Sequence, residues 1–372
     1  MIAFIRPVAS AAALVCAFVA PAAAQPHIDD LDPVIERLME DGHFPGAAVA
    51  VMRDGEAVHV GAYGSASLEH DAPVTPDTVF ELASLTKQMT ALAVMTLVEE
   101  GRLSLDAPVT DFVEDAPEAW GAITVDMLLS HMAGLDHRFE ETADGVLLTD
   151  YSRENMLESA KATPMLSEPG TDWSYSDEGY FLLGVIVEAV TGQTFDEHMQ
   201  AEYFEPLGMA QTRFLDQSAI VPHRAEGYAW KDGGIQRNRR VWQFELTPHF
   251  GVMSSLNDMM KWEAELADPE VINAAAMEAA WEIQREFDAG ERCERWGYAR
   301  GWWSHVAGGK RIVTHAGYSG TAYVRAVDDG VSAIVLTNRQ DGQDLMSPFA
   351  IAWAAAHAVE PSIPDSGLKC WE

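Results

Sequence analysis

The chain is poor in basic residues, in cysteine and in long apolar runs. Of its 372 residues, 24 are Lys or Arg, 58 are Asp or Glu, and only 3 are Cys. This acidic balance repels nucleic acid and anionic membrane surfaces, so neither is an expected partner. Beyond residues 1–24 only Cys293 and Cys370 remain, too few for a disulfide framework. The sequence leaves open whether these two cysteines pair.

Residues 1–24 differ in character from the rest of the chain. They combine one basic residue, Arg6, with an almost unbroken apolar run and with small residues at 22–24. This pattern predicts a signal peptide that is cleaved near Ala24. The run of about thirteen residues is too short to span a bilayer of about 30 Å. No later stretch is long enough either, so we expect an exported protein, periplasmic or secreted, without a stable membrane anchor.

The order of predicted elements indicates an α/β (α+β) protein. A helix with Asp32 as its N-cap and a hairpin that turns at Asp54-Gly55 open the chain. A mostly helical block follows over about 103–228, with an apolar helix over 181–190 near its end. The last part of the chain carries predicted strands and a helix, at 311–315, 321–327, 331–337 and 345–357.

Pairing of the terminal strands would give one antiparallel sheet flanked by helices, with an all-helical lobe inserted. The predicted single unit covers residues 25–372. Its α/β lobe takes up about 25–83 and 240–372, and its helical lobe takes up about 84–239. A cleft between two such lobes is the natural place for a binding site.

Ser84-Leu85-Thr86-Lys87 is the segment with the clearest chemistry. A predicted helix from Ser84 to Glu99 puts Lys87 on the face of Ser84, with their Cβ atoms about 5–6 Å apart. A serine hydroxyl is a poor nucleophile until a neighbouring group takes its proton, so Ser84 and Lys87 form a candidate catalytic pair. A second match to the same spacing, over 366–369, lies in a tail without a helix and is interpreted as chance.

Two further segments accompany this pair. Tyr175-Ser176-Asp177 precedes the apolar helix, and His315-Ala316-Gly317 ends a predicted strand. With S-x-x-K, a Y-x-N-like segment and H-x-G in this order, the chain resembles the serine beta-lactamase and penicillin-binding-protein superfamily. It is most similar to the class C-like branch of esterases and peptidases. The resemblance covers about residues 30–357 and implies a beta-lactamase/transpeptidase-like fold.

The resemblance implies a role for each matching residue. Ser84 would attack the substrate carbonyl and become acylated, while Lys87 and Tyr175 would move its proton to the leaving group. The backbone N–H groups of Ser84 and Tyr318 would form an oxyanion hole. The acyl group would then be released by water, with no metal ion and no cofactor.

The resemblance also implies substrate contacts at Asp177, His315 and Gly317, and two of these depart from the family pattern. The second motif usually ends in Asn, whereas an ionised Asp177 accepts hydrogen bonds but donates none. Its charge would keep Lys87 protonated; Asp177 is either a recognition group for an amine-bearing substrate or a tolerated substitution. His315 stands where dedicated beta-lactamases commonly carry Lys, and a neutral His holds a substrate carboxylate less well.

The sequence therefore predicts an exported serine hydrolase that cleaves a small ester, an amide or a short peptide. A beta-lactamase or D-alanyl-D-alanine carboxypeptidase is the second possibility, and a catalytically weak module that binds cell-wall fragments is the third. The chain has no G-x-S-x-G elbow, which disfavours an α/β-hydrolase. The identity of the substrate and the oligomeric state are left open.

Three other features have less specific interpretations. His131 and His137 lack an accompanying carboxylate pattern, which disfavours a metal site. The resemblance implies a structural role for His131. The basic cluster over 237–240 is either a solvated loop or a rim contact for an anionic substrate. Trp302-Trp303 is interpreted as core or as cleft wall.

Overall fold

The computed structural model describes residues 31–136, 152–216, 218–238, 248–288, 293–340, 342 and 345–364. The predictions for the signal segment, for His137, for residues 239–240 and for the second S-x-x-K match fall outside these ranges. The described helices are α1 (Leu31–Asp41), α2 (Thr86–Glu99), α3 (Val125–Leu129), α4 (Arg153–Ala162), α5 (Asp177–Thr191), α6 (Phe195–Met199), α7 (Leu256–Ala267), α8 (Ala274–Ala280) and α9 (Phe349–Val359).

The strands are β1 (Gly46–Arg53), β2 (Glu56–Ser67), β3 (Ala72–Pro73), β4 (Val79–Glu81), β5 (Arg213–Phe214), β6 (Tyr228–Lys231), β7 (Gly234–Arg237), β8 (Val252–Ser255), β9 (Arg285–Phe287), β10 (Arg295–Tyr298), β11 (Trp303–Ala307), β12 (Lys310–Gly317), β13 (Thr321–Ala326) and β14 (Val331–Thr337). Within the described ranges, nine of them form one antiparallel sheet in the order β3-β2-β1-β14-β13-β12-β11-β10-β9.

The two ends of the chain meet in the middle of this sheet. Strand β1 pairs with β14, with Ala47 opposite Thr337. Every residue of β14 is buried, as are all residues of β1 except the last. Strands covered on both faces appear in a sequence as continuous apolar runs, which explains the uninterrupted pattern over 331–337.

Helices cover both faces of the sheet. On one face, Ile35 of α1 and Ile351 of α9 share a core cluster with Val335 of β14. On the other face, Leu92 of α2 belongs to a larger core that includes Leu336. Successive strand residues point to opposite faces of the sheet, so Val335 packs in the first of these cores and Leu336 packs in the second. The predicted antiparallel sheet flanked by helices is confirmed.

Local turn chemistry explains the first hairpin, which was predicted correctly. Asp54 and Gly55 have φ of 51° and 80°, the left-handed values that a two-residue turn between twisted strands requires. The last hairpin turns through a short helical segment over Val327–Asp329, and Gly330 follows it with φ of 63°. Both turns lie where Asp-Gly pairs occur in the sequence.

Several predicted boundaries were wrong. Asp32 lies inside the first turn of α1 and is not its N-cap. The apolar helix begins at Asp177 and not at Phe181, because Ser176 caps it. The final helix begins at Phe349, after Pro348, and not at 345. Strands β9 and β10 were not predicted, since each is only a few residues long.

Cys293 is buried and disulfide-bonded. The other two cysteines of the chain, at positions 16 and 370, lie outside the described residues. None of the helices that the structure describes is long and apolar enough to cross a membrane.

Candidate active site

Ser84 lies in a tight turn between β4 and α2. The turn is a single 3-10 segment over Ala83–Leu85, and α2 continues directly from it at Thr86. Ala83 has φ of 49°, a left-handed value that residues with a side chain rarely adopt. Backbone strain of this kind persists only where the surroundings enforce it, and it concentrates at functional sites.

The end of β12 packs closely against this turn. A side chain at Gly317 would place its Cβ 2.1 Å from the carbonyl oxygen of Leu82 and 3.2 Å from Cβ of Ala83. Only glycine fits at such a distance, so Gly317 allows the strand to lie alongside the residues that precede Ser84. Tyr318, the next residue, is thereby held near the same turn. Its side chain is 47% exposed, and its hydroxyl accepts a hydrogen bond from Gln340.

Lys87 is fully buried and is surrounded by oxygen atoms. Its Nζ donates to Ser84 Oγ at 3.2 Å, to Asp177 Oδ1 at 2.5 Å and to the carbonyl oxygen of His249 at 2.8 Å. The Tyr175 ring lies beside the same ammonium, with its centroid 4.8 Å from Nζ. Burial by itself lowers the pKa of Lys87, but Asp177 and Tyr175 outweigh burial and raise it. Lys87 is therefore a cation in the resting site.

Tyr175 reaches the same group of atoms from the other side. Its ring centroid lies 4.8 Å from Lys87 Nζ, and Lys87 and Ser84 both lie close enough to its hydroxyl to lower its pKa. Burial raises the pKa of Tyr175, Lys87 lowers it and Asp177 raises it, with a net increase. The resting side chain is consequently a neutral phenol. The structure thus brings Ser84, Lys87, Tyr175 and Asp177 together.

The segment that carries Tyr175 is fixed by Ser176 and His131. Ser176 is the N-cap of α5; its Oγ accepts from the N–H of Gly179 at 3.1 Å and donates to the carbonyl of Asp136 at 2.9 Å. Its own N–H donates to Nδ1 of the buried His131 at 3.1 Å. The His131 ring also lies 4.4 Å from that of Tyr175. His131 therefore positions the tyrosine segment, as its structural interpretation implied.

His315 lies beside this group as a neutral imidazole. Its Nδ1 is 2.8 Å from the carbonyl oxygen of Ala316, which can only accept, so Nδ1 carries the proton. Nε2 then accepts from the Tyr298 hydroxyl at 3.3 Å. Burial, together with the nearby Lys87, lowers the pKa of His315 to about 4. At neutral pH this side chain offers no positive charge to a substrate carboxylate.

Five aromatic side chains form what we call the aromatic cluster, on the side of Tyr175. Its members are Trp173, Phe287, Trp296, Tyr298 and Trp303. Trp303 lies near its centre, with ring centroids 5.1–5.5 Å from those of Tyr298, Trp173 and Trp296. Apart from Trp303, no member of this cluster was predicted, because the five residues come from four separate segments. Trp302, in contrast, is fully buried in the core.

A cavity of about 550 Å³ lies next to Tyr318, whose hydroxyl contacts Gln340 in the cavity lining. Two ion pairs line it, Arg224–Glu81 at 3.0 Å and Arg237–Glu226 at 2.7 Å, together with Ser319, Asn338 and Gln340. Ser319 Oγ donates to the carbonyl oxygen of Glu81 at 2.5 Å. Arg237 is the described member of the predicted basic cluster, and it is both exposed and paired.

A strained turn that presents a serine to a buried lysine and a tyrosine, beside the end of an antiparallel strand, suits nucleophilic acyl transfer. Comparison with known proteins agrees with this class. The chain belongs to the beta-lactamase family, whose model, described as "Beta-lactamase", matches residues 31–356. The predicted superfamily is therefore confirmed.

Three relatives illustrate the range of this similarity. Protein flp of Staphylococcus aureus (strain NCTC 8325) is 25% identical over 316 residues, which cover 84% of this chain and 61% of that protein. Esterase EstB of Burkholderia gladioli is 34% identical over 200 residues, 50% of this chain and 51% of the esterase. The octameric penicillin-binding protein homologue from Pyrococcus abyssi has a TM-score of 0.79 at 26% identity, covering 92% of this chain and 79% of its own. The chain spans about three fifths of the length of the first of these relatives.

Proposed function

We propose that the protein is an exported serine hydrolase that cleaves a small ester, and less readily an amide or short peptide, through an acyl-enzyme on Ser84. The observation that supports this most directly is the arrangement at Lys87, whose ammonium contacts both the Ser84 hydroxyl and Asp177. Membership of the beta-lactamase family and the similarity to an esterase support the same class of reaction.

Tyr175 is the proposed carrier of the proton. Lys87 is already protonated, so it cannot accept the proton of Ser84. The Tyr175 phenol, which lies near enough to Ser84 for that residue to lower its pKa, can take this proton while it passes its own to the leaving-group atom. Lys87 would stabilise the negative charge that develops on Ser84 and Tyr175 during the transfer.

The covalent steps follow from these positions. Ser84 Oγ bonds to the carbonyl carbon, and the carbonyl oxygen becomes an oxyanion facing the N–H groups of Ser84 and Tyr318. The bond to the leaving group then breaks as Tyr175 protonates it, and an alcohol or amine departs. Water attacks the acyl-enzyme by the reverse path, and a carboxylic acid is released.

Two side chains in the site, one neutral and one negative, favour esters over the substrates of dedicated beta-lactamases. His315 is neutral, and Asp177 adds a negative charge beside Lys87. A beta-lactam or a D-alanyl peptide brings a carboxylate, which such a site attracts weakly. A beta-lactamase or D-alanyl-D-alanine carboxypeptidase is thus the second candidate.

A substrate panel tests the proposal. Short-chain p-nitrophenyl esters, nitrocefin and D-amino acid amides are incubated with the protein, and the acyl adduct is sought by intact-protein mass spectrometry. We expect ester turnover with an adduct on Ser84, and a loss of about a thousandfold or more in Ser84→Ala. Binding without turnover by the parent protein would instead indicate the cell-wall-fragment sensor.

Export rests on the sequence of residues 1–24 alone and is tested separately. Expression of the full chain in a Gram-negative host, followed by N-terminal sequencing of the periplasmic protein, is expected to give a chain that begins just after Ala24. An uncleaved chain that remains in the cytoplasm would contradict export without affecting the catalytic proposal.

A further inference from the structure

The aromatic cluster differs from an ordinary core in its exposure. Trp173, Phe287, Trp296 and Trp303 are each partly exposed, whereas Trp302, adjacent to Trp303, is fully buried. Aromatic rings that stack on each other and still present faces to solvent beside a reacting group offer an apolar surface to a ligand. This surface is therefore available to a substrate bound at Ser84.

Two contacts connect the cluster to the proposed proton carrier. The ring of Trp173 lies 6.5 Å from that of Tyr175, and the ring of Tyr298 lies 6.3 Å from it. Tyr298 also hydrogen-bonds to His315. Because the leaving-group atom must reach the Tyr175 hydroxyl, the remainder of the leaving group lies on the side of the cluster.

The sheet order places the cluster and the polar cavity on opposite sides of β12. Phe287, Trp296 and Trp303 come from β9, β10 and β11, which follow β12 in one direction. The cavity is lined by Thr337 and Asn338, at the end of β14, which lies in the other direction. A substrate bound across the end of β12 would therefore contact the aromatic cluster at one end and the polar cavity at the other. Because Tyr175 lies on the side of the cluster, the leaving group would occupy that end.

We propose that the aromatic cluster is a leaving-group subsite, and that the enzyme selects esters whose alcohol part carries an aromatic ring. This inference rests on the proposed function. In the reaction, the Ser84 Oγ–carbon bond forms, the carbon–oxygen bond to the aryl alcohol breaks, and the Ser84 proton leaves with that alcohol through Tyr175.

Two isomeric esters test the proposal directly. Benzyl acetate carries its ring in the leaving group, and methyl phenylacetate carries the same ring in the acyl group. We expect kcat/KM to favour benzyl acetate by about tenfold or more, since even one methylene in a fitted apolar pocket is worth that much. Trp303→Leu should lower this preference about threefold or more, by loss of ring stacking.

A second variant and a control make the test independent of folding. Phe287 lies on the edge strand β9, so Phe287→Leu should fold and reduce the same preference. Trp230→Leu removes a partly exposed tryptophan that stacks on His43 at 3.6 Å, away from the cluster, and should leave the preference unchanged.

Three outcomes would overturn the inference. They are a preference for methyl phenylacetate, equal rates on the two isomers, or an unchanged preference in both cluster variants. Each of these outcomes would be observed in a protein that still turns over esters and forms an acyl adduct on Ser84. Absence of turnover and adduct with every ester would refute the proposed function itself, so the two failures are distinguishable.

Discussion

At the scale of single residues, the Lys87–Asp177 contact sets the protonation of the site. The two atoms lie 2.5 Å apart, with Lys87 fully buried and the Asp177 side chain 15% exposed. A buried ion pair is retained only when its desolvation is offset by good geometry and further hydrogen bonds. The carbonyl of His249 and the hydroxyl of Ser84 supply these bonds to Lys87. This engagement favours Asp177 as the partner of Lys87 over recognition of a substrate amine.

Replacement of Asp177 by Asn should therefore move the pH dependence of catalysis. Asp177 raises the pKa of both Lys87 and Tyr175, so its removal lowers both values. We expect the alkaline limb of kcat/KM for a neutral ester to shift to lower pH by about one unit or more.

The matched control for this prediction is Asp172→Asn, which alters an exposed carboxylate nearby in the chain. Its pH profile should match that of the parent. A larger effect of Asp177→Asn on amine-bearing esters than on neutral ones, without a shift in the limb, would favour amine recognition instead.

The second prediction at the scale of single residues concerns His305 and the pH dependence of stability. Burial lowers its pKa to about 4, below the ordinary value of 6.5 for histidine. Between these values the unfolded chain binds the proton more readily, so stability is complete above pH 6.5 and falls as the pH drops towards about 4. Between about pH 7 and about pH 5 the loss from this residue is on the order of 2 kcal/mol.

Urea unfolding of His305→Leu at these two pH values measures that contribution. The variant should lose less unfolding free energy on acidification than the parent. His70→Leu, which alters an exposed histidine, should behave like the parent. An equal loss in His305→Leu and the parent would contradict the prediction.

At the scale of elements, the N-terminus of α5 places two site residues at once. Ser176 caps the helix, with Tyr175 before it and Asp177 as its first residue. Ser176→Ala removes the cap and the bond to Asp136, which should cost about 1 kcal/mol of unfolding free energy. Because Tyr175 and Asp177 then lose their fixed position, we also expect kcat to fall about tenfold or more.

Ser152 provides a matched control, since it caps α4 in the same way, through the N–H of Asn155. Ser152→Ala should show a similar loss of stability with unchanged kcat. A similar drop in kcat for both variants would mean that activity follows stability and not the placement of α5.

Features of the fold and the site that neighbouring residues determine could be predicted from the sequence. Features that depend on residues far apart in the chain could not. The hairpin at Asp54-Gly55 is encoded by two adjacent residues, and the Ser84–Lys87 pair by one helical turn. The contact between Lys87 and Asp177 has no such local cause, because Asp177 lies 90 positions away and reaches Lys87 only in the folded chain. Strands β9 and β10 escaped prediction for the related reason that short segments acquire strand structure from their neighbours.

At the scale of the whole molecule, the site depends on segments that are far apart in the chain. Ser84 follows β4, Tyr175 precedes α5 and His315 belongs to β12, and these three segments meet only in the folded chain. The order of strands in the sheet separates β9–β11 from β14 on the two sides of β12. The proposed orientation of the substrate depends on this separation.

The strong acidic charge leads to the last prediction. The chain has a formal net charge of −34, and such an excess of one sign destabilises the compact state through self-repulsion. Raising NaCl from about 0.1 M to about 1 M shortens the screening length from about 10 Å to about 3 Å. Exposed ion pairs such as Arg237–Glu226 weaken at the same time, but each contributes little. We therefore expect Tm at neutral pH to rise with salt.

Measuring the same dependence of Tm on NaCl concentration near the isoelectric point separates charge screening from other effects of salt. At about pH 4.5 the net charge approaches zero, so the repulsive contribution disappears and the rise in Tm should be much smaller. Differential scanning calorimetry at both pH values measures the two slopes. Equal slopes of Tm against NaCl concentration at the two pH values would contradict the prediction. They would show that NaCl acts through its preferential exclusion from the protein surface, which does not depend on the net charge of the protein.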